Sequence, residues 1–126
     1  MRATRFGRIV FVTSRAALGV PTRTAYSASK SAVHGMVRTW ALELGPEGIT
    51  ANVVAPGPIL TDNFWGIVPK GSEREATLAG ALPVRRLGTV EDVARAVMFF
   101  LDDAAGFTTG QTLYVCGGAS VGTVTL

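Results

Sequence analysis

A phenol and an ammonium stand four residues apart in Tyr26-Ser27-Ala28-Ser29-Lys30, and the hydroxyl of Ser14 closes an apolar run upstream of them. On a helix, positions i and i+4 lie one above the other on one face. The spacing therefore predicts the Lys30 charge beside the Tyr26 hydroxyl. A cation about 4 Å from a phenol, at an effective dielectric near 20, favours the phenolate by up to about 4 kcal/mol. Ordinary tyrosine, with a pKa of about 10, is protonated at neutral pH, so such a neighbour prepares it for acid–base work. The pair reads as a proton-transfer device. Other reactive side chains read more plainly. His34 lies one turn beyond Lys30, but no second His or Cys stands nearby, which argues against a metal site. Cys116 reads as a small residue beside a strand, and Arg85 and Arg86 as surface or loop-anchoring charges.

Five elements are needed to position these groups. Ile9-Val10-Phe11-Val12 is short, continuously apolar and rich in β-branched residues, as in a strand buried on both faces. A loop with Gly19 and Pro21 follows. From about Ala25 to Leu44 the period becomes helical, with Ala32, Met36, Trp40 and Leu44 recurring every four residues, and Gly45-Pro46 ends it. Thr50 to Ala55 forms a second apolar strand, closed by Pro56-Gly57-Pro58. Residues 60–82 are the loosest part, with a short helix around Ser72–Ala79. Thr89-Val90-Glu91-Asp92 has the form of a capping box opening a helix to about Leu101, and Leu113–Val115 is a third strand. This β-α-β-α-β order predicts parallel α/β architecture, with right-handed crossovers placing successive helices consistently on the sheet. Three buried strands make a thin sheet, and at least one edge needs a neighbour.

Composition sharpens that last point. Hydrophobic residues make up 48% of the 126 and charged residues only 17%, against about a quarter in ordinary soluble domains. Some apolar surface is therefore expected to meet another surface. The net charge of +3 divides unevenly: residues 1–42 hold seven basic residues and no acid, and the rest hold five basic and nine acidic. The basic residues are scattered and lack an aromatic platform, so a solvated face is expected and no nucleic-acid partner. No run approaches the roughly 18 apolar residues of a membrane span, so no membrane partner is expected. The single cysteine fits a reducing, cytoplasmic setting.

Four segments, in order, resemble the C-terminal, catalytic half of a short-chain dehydrogenase/reductase, with 3-oxoacyl-[acyl-carrier-protein] reductase-like members among the patterns matched. Gly7 to Ser14 resembles the strand ending in the family's serine. Tyr26 to Lys30 resembles its Y-x-x-x-K helix, Gly48 to Gly57 the following strand and turn, and Gly110 to Gly118 the terminal strand. One such motif is weak evidence, whereas four in order are strong. The resemblance implies the C-terminal half of a Rossmann-type doubly wound parallel sheet, with three strands and two main helices making a partial domain over residues 1–126. It implies that Tyr26 is the general acid/base, and that Lys30 assists it and binds the nicotinamide ribose. Ser14 would orient the substrate oxygen, as oxyanion donors do. Its spacing to Tyr26 is one residue shorter than the family's commonest arrangement, which leaves Thr13 in view. Pro56, Gly57, Ile59 and Thr61 match a P-G-x-I-x-T turn that holds the nicotinamide carboxamide; Pro56-Gly57 also suits an ordinary turn and Thr61 a helix cap. Phe64, Trp65 and Ile67 fall in the family's substrate lid, and suit either an apolar substrate wall or core packing.

The implied reaction interconverts an alcohol and a ketone, with a 3-oxoacyl thioester among the candidate substrates, using NAD or NADP. The implied full-length form is a homo-oligomer acting on a small alcohol or carbonyl substrate. The family's glycine-rich turn, G-x-x-x-G-x-G, which brings N–H groups to the dinucleotide pyrophosphate, is missing from this sequence. So are the residue that tells NAD from NADP and the family's catalytic asparagine, a role for which Asn52 stands in the wrong strand. A truncated gene model, a cloned fragment or a degraded gene, with little dinucleotide affinity and no appreciable turnover, is the expectation. The alternative is a non-enzymatic remnant, or an oligomerisation or interaction module, of the same fold.

Overall fold

A computed structural model describes residues 1–121. Strands β1 (Gly7–Val12), β2 (Ile49–Pro56) and β3 (Thr112–Val115) form one parallel sheet in the order β1-β2-β3. Gly7 pairs with Ile49 and Val12 with Val54; Val53 pairs with Thr112 and Pro56 with Val115. Helix α1 (Thr24–Leu44) joins β1 to β2. The connection from β2 to β3 carries α2 (Asp62–Trp65), α3 (Glu73–Ala81) and α4 (Val90–Leu101). The short α2 and the turn Arg15–Leu18 were legible only as loop. They are single turns begun by local hydroxyl caps at Thr61 and Ser14, without an apolar period of their own.

Central strand β2 is buried from Ile49 to Ala55, as its continuous apolar run predicts. Its odd positions Ala51, Val53 and Ala55 pack with Ile9, Phe11 and Tyr114 against Val33, Met36, Val37 and Trp40 of α1. Its even position Val54 packs with Val10 and Val115 against Val93, Ala96, Val97 and Phe100 of α4. The two long helices thus cover opposite faces. Because both crossovers step the same way across the sheet, helices on opposite faces mean crossovers of opposite hand. The expectation that both would be right-handed is corrected. The physical reason is coverage: strands apolar on both faces leave one exposed if both helices share a side. The preference arises when a twisted strand feeds a helix that packs straight back on the sheet, whereas α2 and α3 intervene between β2 and α4.

Ala32, expected in the buried period of α1, is exposed; the buried stripe of that helix starts at Val33. Gly48 ends the loop before β2 at φ +74°, where a Cβ would clash with the Arg5 carbonyl oxygen. Only glycine fits there. Asn52, wholly buried in β2, donates from Nδ2 to Thr108 O at 2.8 Å and accepts the Gln111 N–H at 3.0 Å. It is a structural tie to the segment leading into β3. Among the described residues, no helix is long and apolar enough to cross a membrane.

Candidate active site

The carboxyl ends of β1 and β2 gather the residues singled out by their chemistry. Ser14 follows β1 in extended backbone, and its Oγ accepts the Ala16 N–H at 3.1 Å, capping the turn Arg15–Leu18. That bond fixes the oxygen and leaves the hydroxyl proton free to donate. Neighbouring Thr13 is buried, and its Oγ1 lies 3.1 Å from His34 Nε2 on α1. Its hydroxyl is thereby engaged within the fold. Burial holds His34 below its ordinary pKa, favouring the neutral imidazole. No cluster of three or more His, Cys, Asp or Glu side chains suited to a metal occurs among the described residues.

Tyr26 stands in the first turn of α1 and is 45% exposed. Ser31 Oγ donates to Ala17 O at 2.6 Å, strapping this end of α1 to the turn after Ser14. Lys30 Nζ lies 5.6 Å from the centroid of the Tyr26 ring, a cation–π contact. The spacing of four puts Lys30 and Tyr26 on one helix face, but the ammonium lies over the ring, and among the described residues it makes no hydrogen bond to the Tyr26 hydroxyl beside which it was expected. Ser27 Oγ is buried without a partner among the described residues. Ser29 Oγ instead donates to the Tyr26 carbonyl at 2.8 Å.

Gly57 continues β2 by donating its N–H to Val115 O at 2.9 Å. A Cβ here would lie 2.7 Å from Cys116 Cα, so the absence of a side chain lets the two strand ends close. Next along, the Gly88 N–H donates to Pro58 O at 3.0 Å and the Leu60 N–H to Gly88 O at 2.9 Å, a parallel bridge centred on Ile59. Such a bridge uses the peptides either side of its central residue and leaves that residue's own N–H and C=O turned away. Thr61 Oγ1 accepts the Phe64 N–H at 3.3 Å, capping α2, with its hydroxyl proton uncommitted. The helix-cap reading of Thr61 holds, and its donor remains available.

Ser14, Tyr26, Pro56, Gly57, Ile59 and Thr61 all border one cavity of about 390 Å3. Phe64 and Ile67 form part of its apolar wall, whereas Trp65 packs edge-on against Phe64, with Lys70 Nζ 5.7 Å from its ring. Val12, Asn63, Val90 and Val93 also line the cavity and were not foreseen. Val90 and Val93 come from the start of α4, delivered by the Ile59–Gly88 bridge, a long-range pairing with no local signature. The α4 end is locked in place by its capping box: Thr89 Oγ1 accepts the Asp92 N–H, and Asp92 accepts the Thr89 N–H at 3.0 Å. Arg86 grips the same carboxylate at 2.6 and 3.2 Å and holds it well below the usual carboxylate range.

A family profile described as Enoyl-(Acyl carrier protein) reductase matches residues 1–120. The chain belongs to the short-chain dehydrogenase/reductase family. It is 46% identical over 117 residues to the BbsD subunit of (2S)-[(R)-hydroxy(phenyl)methyl]succinyl-CoA dehydrogenase from Thauera aromatica, covering 93% of this chain and 46% of that one. It is 42% identical over 119 residues to the 3-oxoacyl-[acyl-carrier-protein] reductase FabG of Haemophilus influenzae, covering 94% and 48%. A solved 7α-hydroxysteroid dehydrogenase, in complex with NADH and 7-oxo glycochenodeoxycholic acid, superposes with a TM-score of 0.86 at 38% identity, over 94% of this chain and 46% of that one. The chain thus spans about half the length of the curated short-chain dehydrogenase/reductase relatives it matches. Its cavity lies at the carboxyl ends of the parallel strands, where open α/β sheets bind their ligands. The N–H and C=O of Ile59, turned away from the bridge, and the uncommitted Thr61 donor fit the carboxamide end of a nicotinamide cofactor. No glycine-rich turn for its pyrophosphate stands among these residues.

Proposed function

We propose that this chain carries the proton-transfer and substrate-orienting part of an NAD(P)-dependent oxidoreductase that interconverts an alcohol and a ketone. The observation that supports it most is the joint placement of Ser14 and Tyr26 on one cavity, beside the N–H and C=O of Ile59, which have no partner among the described residues. In this reading the Ser14 O–H donates to the substrate oxygen, and its Oγ is kept from rotating away by the Ala16 N–H. Tyr26 Oη gives a proton to that oxygen during reduction and takes it during oxidation. Lys30 lies against the Tyr26 ring from the same helix face and reaches for the nicotinamide ribose. The Ile59 peptide and the Thr61 hydroxyl hold the carboxamide, while Pro56 and Gly57 shape the turn that presents them. Phe64 and Ile67 exclude water from the reacting centre. When bound, the nicotinamide supplies the hydride chemistry.

A dinucleotide is anchored largely at its pyrophosphate, and the chain's 126 residues hold no turn built for that group. We therefore expect weak NADH and NADPH binding and little turnover from these residues alone. The test joins them in frame to the N-terminal half of the Haemophilus influenzae FabG relative and follows NAD(P)H oxidation with a panel of ketones. The joined protein should turn over, and Tyr26→Phe should reduce kcat by about 10²–10⁴, the usual worth of positioned proton transfer. A joined, folded protein indifferent to Tyr26→Phe would refute the assignment. Robust hydride transfer by the 126-residue chain would refute the expected dependence on a separate pyrophosphate site.

A further inference from the structure

Ser14 borders a second cavity, of about 300 Å3, on the far side of the Pro56–Pro58 turn. Ser14, Pro56, Gly57 and Pro58 are common to both cavities, so the two are lobes of one cleft with the serine at their seam. The walls of the second lobe are apolar: Leu78 and Ala81 of α3, Leu82 just after it, and Ala16. Its charged component is Arg15, the residue directly after Ser14. One guanidinium nitrogen, Nη1, donates to the Ala119 carbonyl at 3.2 Å, and Ala119 lines the same lobe. This bond fixes the charge at the lobe wall and uses one of the five N–H donors of the fork. Among the described residues, the ion pairs are Arg2–Glu47, Arg86–Asp92 and Arg95–Asp92, and Arg15 belongs to none of them.

We propose that this lobe receives the apolar body of the substrate and that Arg15 binds a carboxylate carried close to the reacting oxygen. The site is then selective for hydroxy acids and their oxo counterparts over neutral alcohols and ketones. The inference rests on the reading above that the reacting oxygen sits at Ser14. Half-buried guanidinium beside aliphatic walls is the setting in which a planar fork distinguishes a carboxylate from an ester, because the ester lacks both the charge and the second equivalent oxygen. Ser14 and Arg15 line the same lobe, so one ligand bearing both a hydroxyl and a carboxylate can reach the two together. A 3-hydroxy acid with an alkyl tail combines those groups with an apolar body for the aliphatic walls of the lobe.

The experiment needs no cofactor. 3-Hydroxyoctanoate, its methyl ester and 2-octanol are titrated into the 15N-labelled 126-residue chain, following the Arg15 Nε–H and Ala119 amide signals. The acid should bind at least tenfold more tightly than the ester or the alcohol, and Arg15→Met should erase that preference. Arg15→Lys should retain part of it, since it keeps the charge without the fork, and it serves if Arg15→Met does not fold. Ala81→Trp, filling the lobe, should weaken all three ligands together. Equal affinity for acid and ester, an acid preference surviving in Arg15→Met, or no binding at millimolar concentration would each overturn the proposal. A purely structural strut at Arg15 would lower the melting temperature of Arg15→Met without changing the acid-to-ester ratio, and that result also overturns it. Because binding is read without hydride transfer, these outcomes are separate from the Tyr26→Phe test.

Discussion

Thr13 and Ser14 are adjacent hydroxyls with opposite employment, and their difference comes from neighbours distant in sequence. The Thr13 hydroxyl meets His34 on α1 while Ser14 Oγ caps the following turn, and both residues line the cleft. Spacing to Tyr26 alone left the choice open. His34 makes this environment sensitive to pH. Burial lowers its folded-state pKa below its ordinary 6.5, so between the two values the unfolded chain binds more protons. Its contribution to stability is complete above about pH 6.5 and is lost as pH falls through the depressed folded value. Denaturant midpoints at pH 5 and 7.5 should therefore differ, and the difference should shrink in His34→Gln. Asn52 belongs to the same scale. Asn52→Ala leaves the Thr108 carbonyl and the Gln111 N–H without their buried partner, at about 1–3 kcal/mol for each group left unsatisfied. Urea unfolding should show the loss, while the environment of Tyr26, read by ring NMR signals, should stay unchanged.

At the level of elements, the site is held by strand ends and helix starts rather than by the loops between them. Thr89 was readable as a cap because the hydroxyl, the acid three residues on and the apolar run behind them are all local. Thr89→Ala should cost about 1 kcal/mol, visible as a lower melting temperature. Since the same cap sets Val90 and Val93 against the cleft, ligand binding should weaken with it. Gly57 was readable as a turn residue, but its reason was not. The constraint is the approach of Cys116, at 2.7 Å from a hypothetical Cβ, and this belongs to the pairing of β2 with β3. Gly57→Ala should destabilise by about 1–3 kcal/mol, as overpacking does, with a matching fall in the denaturant midpoint. If the alanine variant matches the parent in stability, the close approach is not what requires glycine.

Across the whole molecule, the greasy composition is accounted for by surface as much as by core. Both faces of the sheet are covered, by α1 and α4, yet Met98 is 63% and Phe99 55% exposed on α4, and β1 pairs along one edge only, with β2, among the described residues. Apolar surface of this kind favours contact with another protein surface. The 126-residue chain should therefore show a concentration-dependent mass in sedimentation, and Met98→Lys should shift it toward the monomer. A monodisperse monomer at all concentrations would count against that account of the composition.

The strands, the long helices, the capping box and the Tyr26–Lys30 spacing were legible in the sequence because each rests on interactions within a few residues: β-branched runs, a helical period, a hydroxyl three residues before an acid. The family and the parallel α/β class followed from those local patterns in order. What the sequence could not determine were the relations between segments that meet only after folding. The opposite hands of the two crossovers, the Ile59–Gly88 bridge that brings α4 to the cleft, and the seating of Arg15 in a second lobe are of that kind. They depend on which face of the sheet each helix buries, and burial is a property of the packed chain, decided by distant partners rather than by neighbouring residues.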